Sequence, residues 1–160
     1  MKSFDVVFYK LTRFLELLLT IIFLLLLLDV LLQVFSRHIL NISFSFTEEL
    51  ARFLLIWLTI LGSSYLNAKK EHLSMDYFYT KFSKNNKIKI SMLIELFIFL
   101  FAFIVMVIGG VNLVYTTLHL EQLSGTLRIP LGYVYIVLPS SGLLIMCFSI
   151  YHFSKFIKNN

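Results

Sequence analysis

The sequence predicts an all-α integral membrane protein, with four transmembrane helices packed as a bundle. Of its 160 residues, 59% are apolar and only 14% are Asp, Glu, Lys or Arg, whereas about a quarter of an ordinary soluble domain is charged. The mean hydropathy is +0.87, and long apolar runs such as 17–28 exceed what the core of a small soluble domain can hold. Lipid is therefore the expected solvent for most of the chain.

Four segments are long enough to cross the membrane, since a helix needs roughly 20 apolar residues to span about 30 Å of hydrocarbon. They cover residues 14–35, 46–66, 90–118 and 131–153. Helices are expected because continuous apolar runs lack the alternation of a barrel strand. The second helix is expected to begin with an amphipathic turn at the membrane surface. We expect one domain over 1–160, because two Pro and six Gly leave no room for a flexible linker.

The distribution of basic residues predicts the orientation. Eleven of the 14 Lys and Arg residues lie before the first span, in the middle loop or after the fourth span, and only Arg37, Arg52 and Arg128 lie at the opposite ends of the spans. Because Lys and Arg accumulate in cytoplasmic loops, both termini and the 67–89 loop are expected on the cytoplasmic side of the membrane. The formal charge of +5 follows from this topology, so no nucleic-acid partner is expected.

Polar side chains form a stripe near the end of the first span. Asp29, Gln33 and Arg37 recur at intervals of four residues and therefore share one helix face. Ionisable groups inside a membrane helix can mark an ion or proton site. They can also join helices or subunits by hydrogen bonds, and this interpretation is favoured for a lone Asp near the membrane surface.

A charged cluster opens the second span. Ser45 and Glu48 have the spacing of a capping box, and Glu48 and Glu49 precede Arg52 in the acid-before-base order that stabilises a helix. Because Arg37 lies at the same membrane depth, it is expected to pair with Glu48 or Glu49. A catalytic carboxylate pair is disfavoured, since adjacent helical residues point about 100° apart.

Neither catalysis nor a cofactor is expected. The chain has one cysteine, so it can form no intramolecular disulfide or CxxC pair. Its four histidines lack the spacing of a haem or metal site, and no phosphate-binding loop or hydrolase motif occurs.

The fourth span is expected to bend. Pro139 removes one backbone donor and crowds the carbonyl of Tyr135 four residues earlier. Small residues in three spans should allow close helix approach. They are Gly62, Ser63, Ser64, Gly109, Gly110, Ser140, Ser141 and Gly142.

Several short motifs together resemble the small membrane subunit of TRAP transporters, the DctQ-type family. They are Gln33-Val34-Phe35-Ser36-Arg37, Thr47-Glu48-Glu49-Leu50-Ala51-Arg52, Trp57, Gly62, His72-Leu73-Ser74-Met75-Asp76, Leu127-Arg128-Ile129-Pro130, Tyr133, Tyr135 and Pro139. They follow the family order over nearly the whole chain. One departure is Phe46, where many relatives carry Trp before the Glu pair.

The resemblance implies a tripartite, ATP-independent uptake system. A periplasmic binding protein captures an organic acid, a large membrane subunit moves it across the membrane, usually with Na⁺, and the small subunit supports the large one. Glu121, Gln122 and Arg128, in the loop between the third and fourth spans, are expected to help dock the binding protein, because they form a mixed-charge surface suited to a transient contact.

Two other classes of protein fit the sequence less well. A stand-alone proton-coupled multidrug antiporter would use Glu16 as its proton site, but the strong charge asymmetry and the long 67–89 loop oppose it. A membrane enzyme is disfavoured by the lack of converging catalytic groups.

Overall fold

The structure, a computed structural model, describes residues 2–39, 44–69 and 84–158 and is almost entirely helical over them. Two of the spans are single helices, and the other two are built from consecutive helical segments. The segments are α1 (Lys2–Ile39), α2 (Ser45–Lys69), α3 (Lys84–Phe101), a π-helix (Ala102–Gly109), α4 (Gly110–His119), α5 (Leu131–Tyr135) and α6 (Val137–Lys158). The predicted fold class is confirmed, because four helical stretches are long and apolar enough to cross a membrane. These are Asp5–Ile39, Ser45–Lys69, Ile90–His119 and Leu131–Ser154.

The fourth span lies at the centre of the molecule. It contacts α2 on one side and the third span, made of α3, the π-helix and α4, on the other, while α1 packs mainly on α2. In its most apolar stretch 39% of the residues are buried, against 11–17% in the other three spans. Most of the surface of α1 and of the third span therefore remains open to lipid or to another protein.

The two ends of the molecule can be distinguished by their contacts. The Tyr151 hydroxyl donates a hydrogen bond to Asp5 at 2.8 Å, and the ring of Phe8 stacks on that of Tyr151 with centroids 4.1 Å apart. The first and last helices therefore meet at one end, here called the terminal end. The opposite end carries the start of α2 and the segment between α4 and α5, and is called the loop end.

A seven-residue repeat in α1 packs this helix against α2. Leu15, Ile22, Asp29 and Ser36 are the buried residues of α1, and the first two join Leu61 of α2 in one core cluster. A seven-residue period keeps one seam of a helix facing its partner when two helices cross at about 20°. The seam is apolar toward the terminal end and polar toward the loop end.

Hydrogen bonds between side chains and backbone join α2 to α6. The hydroxyls of Ser64 and Ser141 lie 2.6 Å apart, and the Ser141 hydroxyl is 2.9 Å from the carbonyl oxygen of Ile60. Nearer the terminal end, Nε2 of the buried His152 lies 3.1 Å from the carbonyl oxygen of Asn67. Small hydroxyl-bearing residues therefore allow both the close approach that their clustering predicted and hydrogen bonding that it did not.

The fourth span is interrupted where the sequence predicts a bend. Helix α5 ends at Tyr135, whose carbonyl is the one that the Pro139 ring crowds, and α6 starts at Val137, two residues before Pro139. The Trp57 indole N–H donates to the carbonyl oxygen of Val134 at 3.0 Å. A backbone acceptor beside the break is thus satisfied by a side chain of α2, as a carbonyl at membrane depth requires.

Close packing joins the third and fourth spans. A Cβ atom added to Gly110 would lie 2.9 Å from Cδ of Pro139. One added to Gly142 would lie 2.8 Å from Cβ of Met106 and 2.9 Å from Cγ2 of Val107, both in the π-helix. Gly110 of the third span and Pro139 of the fourth are therefore neighbours in space, although nothing in the sequence indicated the π-helix.

We predict that Gly142→Ala lowers the thermal stability of the chain in detergent, because the new methyl group clashes with packed side chains and with the Ala102 carbonyl oxygen, 3.2 Å away. A misfit of this kind costs about 1 to 3 kcal/mol. Gly62→Ala is the matched control, since its Cβ would meet nothing within 4 Å. A loss of stability in Gly62→Ala as large as in Gly142→Ala would contradict the packing argument.

Candidate functional site

The first turn of α2 is fixed by Thr47 and not by the expected capping box. The Thr47 hydroxyl and backbone N–H both donate to the Phe44 carbonyl oxygen, at 2.8 and 3.2 Å. Within the described residues, Ser45 and Glu48 do not form the reciprocal hydrogen bonds of a capping box. The sequence pattern predicted the helix start correctly and its hydrogen bonding wrongly.

The carboxylate of Glu49 holds the segment between the third and fourth spans. Its Oε1 accepts the backbone N–H of Gly125 at 2.9 Å, and its Oε2 accepts those of Thr126 at 2.9 Å and Leu127 at 2.7 Å. Three consecutive N–H groups directed at one anion form a backbone nest, and hydrogen bonds to a charged acceptor are stronger than neutral ones. One side chain of α2 therefore fixes a loop more than 70 residues further along the chain.

The held segment is a short hairpin, residues 120–130, here called the loop hairpin. Leu123 and Pro130 form an isolated antiparallel bridge. The Ser124 N–H donates to the Ile129 carbonyl oxygen at 2.9 Å, and the Leu131 N–H donates to that of Gln122, also at 2.9 Å. Backbone hydrogen bonds thus connect the hairpin to the start of α5.

Two residues of the loop hairpin have left-handed backbone conformations. Glu121 has a φ of 48° and Arg128 a φ of 52°, which costs a residue with a side chain roughly 1 to 2 kcal/mol. Glu121 follows the end of α4, where the Gln122 N–H reaches back to the Thr117 carbonyl oxygen at 3.0 Å. This is the Schellman motif, in which glycine usually occupies the position that Glu121 takes here.

All three residues proposed from the sequence for docking lie in this hairpin. Glu121, Gln122 and Arg128 are exposed, and two of them carry the backbone strain. Unusual backbone geometry is concentrated at functional sites, where the surroundings must maintain it. The three-fold contact of Glu49 supplies such support, and nothing in the sequence distinguished Glu49 from Glu48 for this role.

The polar residues of α1 are not brought into the same cluster. Arg37 is exposed, and no ion pair joins it to Glu48 or Glu49 in the part of the chain that the structure describes. Both carboxylate oxygens of Glu49 instead accept backbone N–H groups of the loop hairpin. Glu48 and Arg52 are exposed on the first turns of α2.

Asp29 lies in the seam between α1 and α2. It is 8% exposed, and its Oδ2 has no hydrogen-bond partner in the described regions. Gln33, one turn further on, is half-buried. Asp29 therefore lies between α1 and α2. A polar residue in such a seam fixes the register of the two helices at a cost in stability.

The other candidate features that the structure describes lie away from the loop hairpin. Glu16 is exposed on α1, and over the described residues no group of three or more His, Cys, Asp and Glu is close enough to hold a metal ion. Two open grooves, of about 750 and 400 Å³, lie toward the terminal end and are lined mostly by apolar residues. The His72–Asp76 motif lies outside the described residues.

These observations define a helical membrane protein whose distinctive feature is a loop held in place by a carboxylate of the second span. The chain belongs to the DctQ family: the family model described as "Tripartite ATP-independent periplasmic transporters, DctQ component" matches residues 26–159. It is therefore the small subunit of a TRAP transporter, a multi-pass membrane protein of a family whose members work with a large membrane subunit and a binding protein. Comparison with curated proteins gives no match.

We predict that Glu49→Gln loosens the loop hairpin, because a neutral amide offers one acceptor oxygen in place of a charged pair. Amide hydrogen exchange over 123–129 should become about tenfold faster, which reports a local loss of one to two kcal/mol. Glu48→Gln is the control, since Glu48 is exposed and adjacent to Glu49. Equal exchange rates in the two variants would show that the Glu49 contact does not hold the hairpin.

Proposed function

We propose that this chain braces the large membrane subunit of its transporter and uses the loop hairpin to help dock the periplasmic binding protein. The observation that carries the proposal is the hairpin itself, in which Glu49 holds an exposed, strained turn in one conformation. A surface that is ordered before contact loses less conformational entropy when a partner binds. Without such anchoring, a loop of this length would relax the two residues out of the left-handed conformation, because that conformation costs free energy.

The charges around the hairpin suit a short-lived contact. Glu121 and Arg128 are exposed on it, and Glu48 and Arg52 are exposed on the neighbouring helix start. Complementary charges increase the rate of association and add little to final affinity, and salt weakens them. A binding protein that must arrive, release its cargo and leave requires this kinetic behaviour.

The bracing role is supported by the small share of each span that is buried within the chain. Between 11 and 17% of the most apolar stretch is buried in three of the four spans, so these helices offer extensive side faces within the membrane. By analogy with the family, the proposed transported compound is an organic acid and the proposed coupling ion is Na⁺. Substrate selection and ion coupling are assigned to the other two components.

The proposed setting is the bacterial inner membrane, with the loop end facing the periplasm and both termini in the cytoplasm. Eleven of the 14 Lys and Arg residues fall at the terminal end or in the 67–89 loop, which supports this orientation through the positive-inside rule.

We predict that external cysteine labelling of intact cells modifies Glu121→Cys and spares Lys84→Cys, both made in a Cys147→Ser background. The reason is the asymmetry of basic residues, which places position 121 outside and position 84 inside. Permeabilised cells provide the control, since both positions should then react. The opposite pattern in intact cells would reverse the orientation.

We predict that uptake into liposomes requires both membrane subunits. The comparison uses this chain alone, the large subunit alone and the two together, each with binding protein, organic acid and a Na⁺ gradient. Uptake should occur only with both, because this chain supplies bracing and docking but no transport path. Uptake by this chain alone, or undiminished uptake by the large subunit alone, would refute the proposal.

Docking is tested in the same liposomes with Arg128→Glu and with Arg128→Lys as the charge-preserving control. Reversal of one charge at a salt-sensitive contact should slow uptake several-fold when binding protein is limiting, and more binding protein should partly restore it. Arg128→Lys should behave as the unmodified chain does. An unchanged dependence on binding protein in Arg128→Glu would place docking elsewhere.

A further inference from the structure

A row of exposed residues, three polar ones on α4 preceded by Ile108 of the π-helix, lies on the side of the third span that faces away from the rest of the molecule. Ile108, Asn112, Tyr115 and His119 are exposed and are spaced by four, three and four residues, which places them on one helix face. The rings of Tyr115 and His119 stack nearly in parallel, with centroids 5.8 Å apart and planes at 4°. We call these four residues the α4 face.

The α4 face is opposite the contact with the fourth span. Gly110 and Thr117 are the buried residues of α4, and Gly110 is the residue packed against Pro139. At about 100° per residue, Asn112 lies about 200° around the helix from Gly110. No rotation of the helix could bury both residues against α5 and α6.

Asn112 lies at the depth of the hydrocarbon. The span Ile90–His119 has 30 residues, so Asn112 is about 11 Å from its middle, inside the roughly 15 Å half-thickness of a bilayer core. Side chains of a helix tilt toward its N-terminus, and the third span runs from the terminal end to the loop end. The Asn112 amide is therefore directed toward the membrane centre and away from the nearer surface.

The amide of Asn112 has no partner among the described residues. It makes no hydrogen bond with any part of the chain that the structure describes. Exposed hydroxyls elsewhere in the spans are satisfied by their own helix, since Thr20 donates to the Glu16 carbonyl oxygen at 2.8 Å and Thr59 to that of Leu55 at 2.9 Å. Asn112 departs from this pattern, and lipid chains offer its amide neither a donor nor an acceptor.

We propose that the α4 face is the contact surface for a transmembrane helix of the large subunit, and that this helix supplies a hydrogen-bonding side chain to the Asn112 amide. The inference rests on the proposed bracing role and specifies where it occurs. An unsatisfied amide in hydrocarbon favours a protein neighbour over lipid, and the chain belongs to a family whose members are one component of a larger transporter. The exposed Gly109, beside the face, leaves room for close helix approach.

Photo-crosslinking in the assembled transporter tests the location. Benzoylphenylalanine is introduced at Ile108 or at Tyr115, and, as controls, at Leu32 of α1 and Leu143 of α6, which are 52% and 54% exposed. Illumination of membranes should link positions 108 and 115 to the large subunit. Adducts from these positions with a second copy of this chain, or with lipid only, would overturn the assignment.

Substitution of Asn112 tests the chemistry. Asn112→Leu should reduce the amount of large subunit that copurifies in detergent by roughly three- to tenfold, as expected for the loss of an interhelical hydrogen bond, whereas Asn112→Gln should retain part of it. Val111→Leu, at a neighbouring residue that is 53% exposed, is the control. The thermal stability of the isolated chain should not fall in Asn112→Leu, because the amide bonds to nothing within it.

The outcomes separate this inference from the function on which it rests. If the large subunit copurifies but Asn112→Leu has no effect and only positions 32 or 143 form crosslinks, bracing stands and the α4 face is not its site. If the unmodified chain does not retain the large subunit at all, the bracing role and the α4 face both fail.

Discussion

Apolar side chains gain little when they leave lipid for the interior of a membrane protein, so the helices of this chain depend on hydrogen bonds and close approach to hold together. The two kinds of contact are divided between the two sides of the fourth span. On the α2 side, the Ser64 and Ser141 hydroxyls meet at 2.6 Å. On the other side, Gly142 allows the backbone of α6 to approach Met106 of the π-helix. The fourth span is central because it takes part in both.

The same dependence explains why the irregular parts of the third and fourth spans lie together. Gly110, the residue that follows the π-helix, packs against Pro139, just beyond the break between α5 and α6. Backbone groups freed by such irregularities have no water to bond with in the membrane, and the Trp57 indole satisfies one of them at the Val134 carbonyl. Trp57 therefore has a structural role that its membership of a family motif did not reveal.

The sequence predicted those features that depend on length, composition or local sterics. The four spans follow from apolar length, and the interruption near Pro139 follows from the geometry of one residue. It could not predict features that depend on rotation about a helix axis. Equal depth in the membrane predicted that Arg37 pairs with Glu48 or Glu49. Glu49 is turned about 100° from Glu48 around the helix and binds the loop hairpin instead. The π-helix has no signal in apolar periodicity. The four-residue spacing of Asp29, Gln33 and Arg37 also hides the seven-residue seam in which Asp29 is buried.

The loop hairpin and the α4 face are linked through one continuous backbone. His119 ends α4, Glu121 begins the left-handed turn two residues later, and the Gln122 N–H remains bonded to Thr117 of the helix. The Gln122 carbonyl oxygen in turn accepts from Leu131 at the start of α5, so both junctions of the hairpin are closed by hydrogen bonds. A force applied to Arg128 by a docked protein would therefore be carried into the third and fourth spans and not absorbed by a flexible joint. Under the proposed assignments, the surface that receives the binding protein and the face that holds the large subunit move as one body, which is the property that a bracing subunit requires.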